Sequence, residues 1–465
     1  MPGKPELTAI YAIIGPQKRL HSVFPAADNV ISPSFLRCIL TVMATAPDAF
    51  IGQHEHSLWH NRNYVLLWSG QAISRVGSRA SALAFPLLVL ALTQSPAQAG
   101  LIGAIGSVPS LILSLPAGAF LDRWDRKQVM IVCEIGRALL LASIPLTLWL
   151  KHLTMAQLYL VALCEGALAV FFGIAQTACL PQVVTRQQLP AAAAQNEALF
   201  PVGDLLGSPL GGTLFGLVGR AAPFLADAFS YLFSIGALWA VKISFQQERR
   251  VEAPHLRREI RTGLMWLWHH PLIRFLALLS AGCFVIDAGA PLMVIVLAKQ
   301  QGASARLIGI VFAIAAVGGL AAFFVVAPLQ RRWRFGQIVC STVMLQACVW
   351  PLLVFPPPVL AIGLLAAGNY LFFALYNSVE AGYRLALVPD ALQGRVNSVF
   401  HLIALSCYPL GAAATGLLIQ GIGVKPTLLL FFAWMLMLSV AAISNRAVRR
   451  AQPLQPEIMQ QEHAP

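Results

Sequence analysis

Twelve times along this chain of 465 residues, an apolar run long enough to cross a hydrocarbon layer recurs between charged or turn-forming residues. A helix needs about 20 predominantly apolar residues to make that crossing. The runs fall at roughly 64–92, 98–120, 128–149, 155–178, 191–217 and 223–244, then 273–297, 305–329, 337–355, 359–380, 397–421 and 426–445. Inside a bilayer every backbone donor and acceptor must be satisfied within the protein, so runs of this length are read as helices. Composition agrees: charged residues make up 11% and hydrophobic residues 58%, where a soluble domain carries about 25% charged residues. The expected fold class is an all-α integral membrane protein of twelve transmembrane helices.

The runs form two sets of six, and the sets repeat each other. Gln98-Ala99-Gly100-Leu101-Ile102-Gly103 reappears as Ser304-Ala305-Arg306-Leu307-Ile308-Gly309. Pro209-Leu210-Gly211-Gly212, followed by Gly216, reappears as Pro409-Leu410-Gly411-Ala412, followed by Gly416. Leu121-Asp122-Arg123-Trp124 is echoed by Leu329-Gln330-Arg331-Arg332-Trp333. A duplicated helix bundle with the path at the seam between copies is a recurring plan of secondary transporters. The expected organisation is a leader over 1–60, a six-helix bundle over 61–244, a central loop over 245–272, a second bundle over 273–445 and a tail over 446–465.

The net charge of +13 invites a nucleic-acid reading, but the cations sit in short loops between apolar runs. Their distribution sets orientation instead. Seventeen Lys and Arg fall on one side: Arg123, Arg126, Lys127, Arg186, the central-loop Arg249, Arg250, Arg257, Arg258 and Arg261, then Arg331, Arg332, Arg334, Arg384, Arg395, Arg446, Arg449 and Arg450. Five fall on the other: Lys151, Arg220, Lys299, Arg306 and Lys425. Both termini and the central loop are therefore expected on the cytoplasmic face of a plasma membrane. In the central loop, Leu256, Ile260, Leu264 and Leu267 share one helical face, which predicts an interfacial helix tying the two halves together; a disordered linker is the competing reading.

The leader is neither a membrane span nor a signal peptide. Its best apolar stretch, Phe35 to Phe50, contains Arg37, Pro47 and Asp48. It is expected to be disordered and cytoplasmic, with translation starting at Met43; N-terminal sequencing tests this. The eight cysteines form no CxxC pair, so no disulfide framework is expected. His54-Glu55-His56 and His269-His270 lack further ligands, so no metal is expected either.

Charge inside a span costs about 2.5–3.5 kcal/mol at the centre and marks candidate functional positions. Arg75 and Glu165 lie at matching mid-depth in the first and fourth runs, expected as a pair that is either permanently structural or open to proton exchange. Asp204 and Asp287 lie near the middle of the fifth and seventh runs with no cation close in sequence. Each is a proton carrier, a neutral hydrogen-bonded acid or a residue in a wet vestibule. Glu134 and Arg137, one turn apart, read as a local pair, and Asp227 as solvent-reachable near a helix end. Gly207, Pro209, Gly211 and Gly212 in the fifth run, with Pro409 and Gly411 in the eleventh, predict helices that approach closely and bend at the seam.

These residues resemble the major facilitator superfamily. Its motif between the second and third helices is matched by Gly118-Ala119-Phe120-Leu121-Asp122-Arg123-Trp124-Asp125-Arg126-Lys127. Asp125 replaces the usual Gly, as in the macrolide-efflux and enterobactin-exporter branch of drug:proton antiporters. The antiporter motif of the fifth helix is similar to Gly207-Ser208-Pro209-Leu210-Gly211-Gly212, with Ser208 at the proline position. Tyr383-Arg384, Val388-Pro389-Asp390 and Leu392-Gln393-Gly394-Arg395-Val396-Asn397-Ser398 also resemble that branch.

The resemblance implies two six-helix halves working by alternating access. It further implies that Gly118, Asp122, Arg123, Arg126 and Lys127 form a latch on the outward-facing state. The implied function is export of amphipathic small molecules, drug-like or siderophore-like, by proton antiport, with Arg75, Glu165, Asp204 and Asp287 as coupling candidates. A lipid or lysophospholipid flippase and a non-transporting receptor are the alternatives. No nucleotide-binding signature appears, so neither enzyme activity nor a cofactor is expected. Expected partners are a small-molecule substrate, protons and membrane lipid, with no nucleic acid, on a monomer.

Overall fold

The computed structural model describes residues 58–121, 124–242, 256–355 and 357–451. The leader through Ser57 with Met43 and His54-Glu55-His56, the latch residues Asp122 and Arg123, the loop cations Arg249 and Arg250, and the tail beyond Ala451 lie outside them.

Helices account for nearly all the described residues. The first half comprises α1 (Arg62–Thr93), α2 (Pro96–Leu121), α3 (Arg126–Trp149), α4 (Met155–Val183), α5 (Leu189–Thr213) and α6 (Ala222–Ala240). The second comprises α7 (Pro271–Gln300), α8 (Ala305–Arg332), α9 (Phe335–Leu352), α10 (Val359–Leu387), α11 (Asp390–Ile422) and α12 (Val424–Ser444). A central helix (Leu256–His269) precedes α7, and a short terminal helix (Arg446–Arg450) follows α12.

Local chemistry sets the helix starts. Asn61, Asp125, Thr154 and Ser304 each accept backbone N–H bonds in the first turns of α1, α3, α4 and α8. α2 and α7 begin on Pro96 and Pro271, where the missing N–H is no loss. The single π turn after α5 (Leu214–Val218) and α11 stop at Gly219 and Gly423, with φ of 134° and 86°. Only glycine adopts such angles without strain.

Among the described residues, eleven helices are long and apolar enough to cross a membrane. The exception is α5, whose N-terminal half carries Gln195, Asn196 and Glu197 before Asp204. Large apolar side chains such as Leu139, Phe229, Phe324 and Leu364 face outward, which suits lipid rather than water. Two ends differ from expectation. α10 runs seven residues further and α11 begins seven residues earlier than the apolar pattern suggests. Arg384 and Arg395 therefore lie in helices rather than in a loop.

Packing repeats as the sequence does. α1 packs on α5 and α6, α2 on α4, and α3 on α4 and α6; α7 packs on α11 and α12, α8 on α10, and α9 on α10 and α12. The halves meet where α2 crosses α11 and where α5 crosses α8, crossings that a two-fold exchange of the copies interconverts. Lipid offers no hydrophobic drive for helix association, so such crossings rely on close backbone approach. A Cβ on Gly100 would stand 2.9 Å from the Gly416 Cα, and one on Gly309 would stand 3.2 Å from the Gly212 Cα.

The central helix packs on α11 and α7, both of the second half. Gly263 permits this, since a Cβ there would stand 2.6 Å from the Arg395 carbonyl oxygen. Leu267 is buried, but Leu264 is exposed together with Met265 and Trp268. Of the expected apolar face, Ile260 and Leu267 turn to the protein and Leu264 turns outward, and the helix packs chiefly on the second half.

Candidate functional site

A cavity of about 480 Å³ lies between the halves. Its wall takes Arg79 and Phe85 from α1, Gly103 and Ser107 from α2, Glu165 from α4, Asp204 from α5, Pro291 from α7, Phe312 from α8, Tyr370 from α10 and Tyr408 from α11. Away from the described termini it is roofed by the two glycine crossings. Hydrogen bonds from the Ser95 Oγ (2.6 Å) and the Ala97 N–H (3.1 Å) to the Gln420 Oε1 join the halves at that end.

A stripe of glycines positions the first charge pair. Gly203, Gly207 and Gly211 recur every turn of α5 and face α1; a Cβ on Gly207 would stand 2.5 Å from the Val76 carbonyl oxygen. That closeness places Arg79 Nε 3.0 Å from Asp204 Oδ1, with both side chains partly exposed to the cavity. One turn earlier, the Arg75 guanidinium stacks 3.9 Å above the Phe200 ring, a cation–π contact.

Gly207 and Gly211 therefore serve packing within the first half, and Gly411 likewise faces the α7 backbone at Val285. At the seam stand Pro209 and Gly212, both against Gly309. Pro409 is buried within α11.

The second pair differs from the one expected. Glu165 binds Arg137, not Arg75: Arg137 Nη2 is 2.6 Å and Nε 3.0 Å from Glu165 Oε1. Shared depth of Arg75 and Glu165 fixes height but not direction around the helix. The Arg137 guanidinium lies 4.4 Å from the centre of the Tyr231 ring. The Tyr231 hydroxyl is 2.9 Å from the Ser78 Oγ and donates to Glu165 Oε1 at 3.4 Å. Four helices of the first half thus converge on one ion pair.

Glu134 is not paired locally with Arg137 either; it is buried and accepts from the Ser234 Oγ at 3.2 Å. Asp227 is fully buried rather than solvent-reachable. It accepts from the Ser81 Oγ at 2.5 Å and the Ser230 Oγ at 3.1 Å. Asp287, half-buried on α7, lies within electrostatic range of Asp204, Tyr370 and Tyr408. It forms no ion pair or hydrogen bond with any described residue.

The second half carries one buried pair that the pattern of apolar runs hides, Arg384 Nε to Glu380 Oε1 at 3.3 Å, with Arg384 also over the Phe400 ring. In the register that aligns Trp124 with Trp333, Arg137 corresponds to Gln346. Aligning the starts of α4 and α10 sets Glu165 against Asn369. Gln346 and Asn369 are both buried and uncharged.

Of the latch residues, Gly118 stands in open space. Arg126 Nη1 donates to the Ala178 carbonyl of α4 at 3.0 Å, and Lys127 Nζ to the Val241 carbonyl past α6 at 2.6 Å. Lys127 thus sits at the C-cap carbonyl of α6, where positive charge is favoured. Asp125, the departure from the motif, is the N-cap of α3. Tyr231, Ser78, Tyr370 and Tyr408 were not singled out by sequence; polar residues on otherwise apolar runs were the available signal. No cluster of potential metal ligands occurs among the described residues.

Comparison with known proteins gives a consistent result. A family model described as transmembrane secretion effector matches residues 56–464. The multidrug efflux pump Tap of Mycolicibacterium fortuitum is 25% identical over 382 residues, covering 79% of this chain and 91% of that pump. The enterobactin exporter EntS of Citrobacter koseri is 24% identical over 340 residues, covering 72% and 80%. A bacterial homologue of the iron transporter ferroportin in its inward-facing state superposes with a TM-score of 0.67 at 17% identity, covering 83% of this chain and 99% of that one. The outward-facing state of a bacterial ferroportin homologue scores 0.56 at 18% identity, covering 82% and 98%. With its duplicated helical halves, central cavity and a family match over nearly its whole length, the chain belongs to the transmembrane secretion effector family of major facilitator transporters.

Proposed function

We propose that this membrane transporter exports amphipathic small molecules carrying a basic group, driven by inward proton movement. The observation that carries the reading is the cavity wall: two carboxylates, Glu165 and Asp204, each held by an arginine and each facing the space between the halves. About 480 Å³ lies within the usual range of small-molecule sites, about 300–1,000 Å³. Phe85, Phe312, Tyr370 and Tyr408 supply aromatic surface for an apolar body and a cation.

A carboxylate that exchanges its arginine for a proton or a cationic substrate binds them in alternation, as antiport requires. Asp287, which has no ion-pair partner among the described residues and lies within electrostatic range of Asp204, is a third candidate for carrying the proton. The conformation supports an inward-facing state, since the glycine crossings close the end away from the termini. With the Lys- and Arg-rich face toward the cytoplasm of a plasma membrane, the cavity would load from inside. The names of the efflux relatives support the direction of transport. A monomer suffices, because both halves of the cavity come from one chain.

The test is proton movement in inside-out vesicles containing the protein, followed with a pH-sensitive dye while a panel of drug-like and siderophore-like compounds is added. Compound-dependent proton release is expected, and Glu165→Gln or Asp204→Asn should abolish it at equal expression, with Asp287→Asn run alongside. Proton release unchanged in all three variants would overturn the assignment of the site. Flux of labelled lysophospholipid without any compound response would replace drug export with lipid transport.

A further inference from the structure

The second copy of the loop between a half's second and third helices lacks the acids of the first. Asp122 and Asp125 punctuate the first copy, whereas the second reads Gln330-Arg331-Arg332-Trp333-Arg334. The chain then returns three more arginines to the same end of the bundle. The terminal helix carrying Arg446, Arg449 and Arg450 packs on α9 and α12. It is capped by Asn445 and seated on Gly336, where any Cβ would collide with the Val448 carbonyl. All six arginines are exposed, and none forms an ion pair with a described residue.

Below this rim runs a groove of about 590 Å³, lined by Arg332, Trp333, Gln337, Cys340, Ser341, Met344 and Ile443. Gln337, Cys340 and Met344 share one face of α9, so the groove descends roughly 10 Å along the helix axis. It passes from a charged mouth to an apolar wall completed by Ile443 of α12. Trp333, half exposed at the mouth, stands where indole rings favour a lipid headgroup layer. Arg449 reaches electrostatically as far as Cys340. Arg446, Arg449 and Arg450 wall a second hollow of about 410 Å³, and the Arg449 main chain lies against Gly336, next to Gln337 of the groove.

We propose that this corner is a binding site for an anionic phospholipid. The phosphate sits among Arg332, Arg446, Arg449 and Arg450, and an acyl chain lies along the Gln337–Met344 face. A soluble anion would need only the cations; a cationic mouth leading to an apolar floor fits a molecule that has both parts. The site is separate from the central cavity and independent of what that cavity carries.

The experiment is thermal unfolding of the purified full chain in detergent. Phosphatidylglycerol, phosphatidylcholine with the same acyl chains, or glycerol phosphate is added. Phosphatidylglycerol is expected to raise the melting midpoint by several degrees, and the other two to leave it unchanged. The triple substitution Arg446→Gln, Arg449→Gln, Arg450→Gln should remove at least half of that rise, and Met344→Trp, which fills the groove, should do the same without touching a charge. An equal rise with phosphatidylcholine or with glycerol phosphate would overturn the proposal. So would a full response to phosphatidylglycerol in Met344→Trp, a readout that stands even where the triple variant does not fold.

Discussion

Arg137 is one cation among three carboxylates. It is bonded to Glu165, while Glu134 and Asp227 lie within its electrostatic reach. Removing one partner of a buried pair leaves the rest uncompensated, at a cost of about 3–5 kcal/mol. Arg137→Gln is therefore expected to lower the melting temperature of the detergent-solubilised protein more than Glu165→Gln does, because the former strands acids and the latter strands only one base. The double variant should regain part of the loss; a double variant no more stable than Arg137→Gln would show that Glu165 is not the main partner. The choice of Arg137 over Arg75 for Glu165 was not legible from sequence. Position along a run gives depth in the membrane, whereas pairing depends on which face each helix turns to its neighbours. Arg75 is turned toward Phe200 on α5, and Arg137 toward α4.

At the scale of the element, apolar runs marked the helices because lipid allows little else. Their ends were less legible wherever a helix continues past the hydrocarbon on polar residues. Arg384 interrupts the apolar pattern yet is buried inside α10 beside Glu380. α5 shows the converse: Gln195, Asn196 and Glu197 dilute it below the hydropathy of a plain span, although it packs along α1 and α8 as closely as its glycines allow. The seam motif was readable as a set but not residue by residue, since Gly211 and Gly212 are adjacent and face different helices. Gly207→Leu is expected to separate α1 from α5, breaking the Arg79–Asp204 pair and lowering folded yield in a detergent extract. Gly236→Leu on the open face of α6 should be tolerated and gain helix propensity of up to about 1 kcal/mol. Equal behaviour of the two variants would mean that the α1–α5 approach is not limiting.

For the molecule as a whole, the contacts that the proposed transport cycle would have to break lie at one end of the seam. Ser95 and Gln420 meet there, one from each half. With the native cysteines replaced, Ser95→Cys together with Gln420→Cys is expected to cross-link under mild oxidation and to stop transport until a reductant is added. Transport that continues at full rate in the cross-linked protein would exclude parting of this end from the cycle. The duplicated plan was the most legible feature of the chain, and the equivalence of the α2–α11 and α5–α8 crossings expresses it in three dimensions.

The glycine pairs at those crossings have a mechanical consequence. Gly100 against Gly416 and Gly309 against Gly212 bring bare main chain onto bare main chain, with only small side chains such as Ala412 and Ala305 close beside them. Such a joint is a clasp without teeth. At these glycines it parts without any rotamer having to unlock, and beside them the Gln420 side chain has to release Ser95 and Ala97. The two joints are related by the exchange of copies, so in the proposed transport cycle one tilt of one half against the other would release both at once.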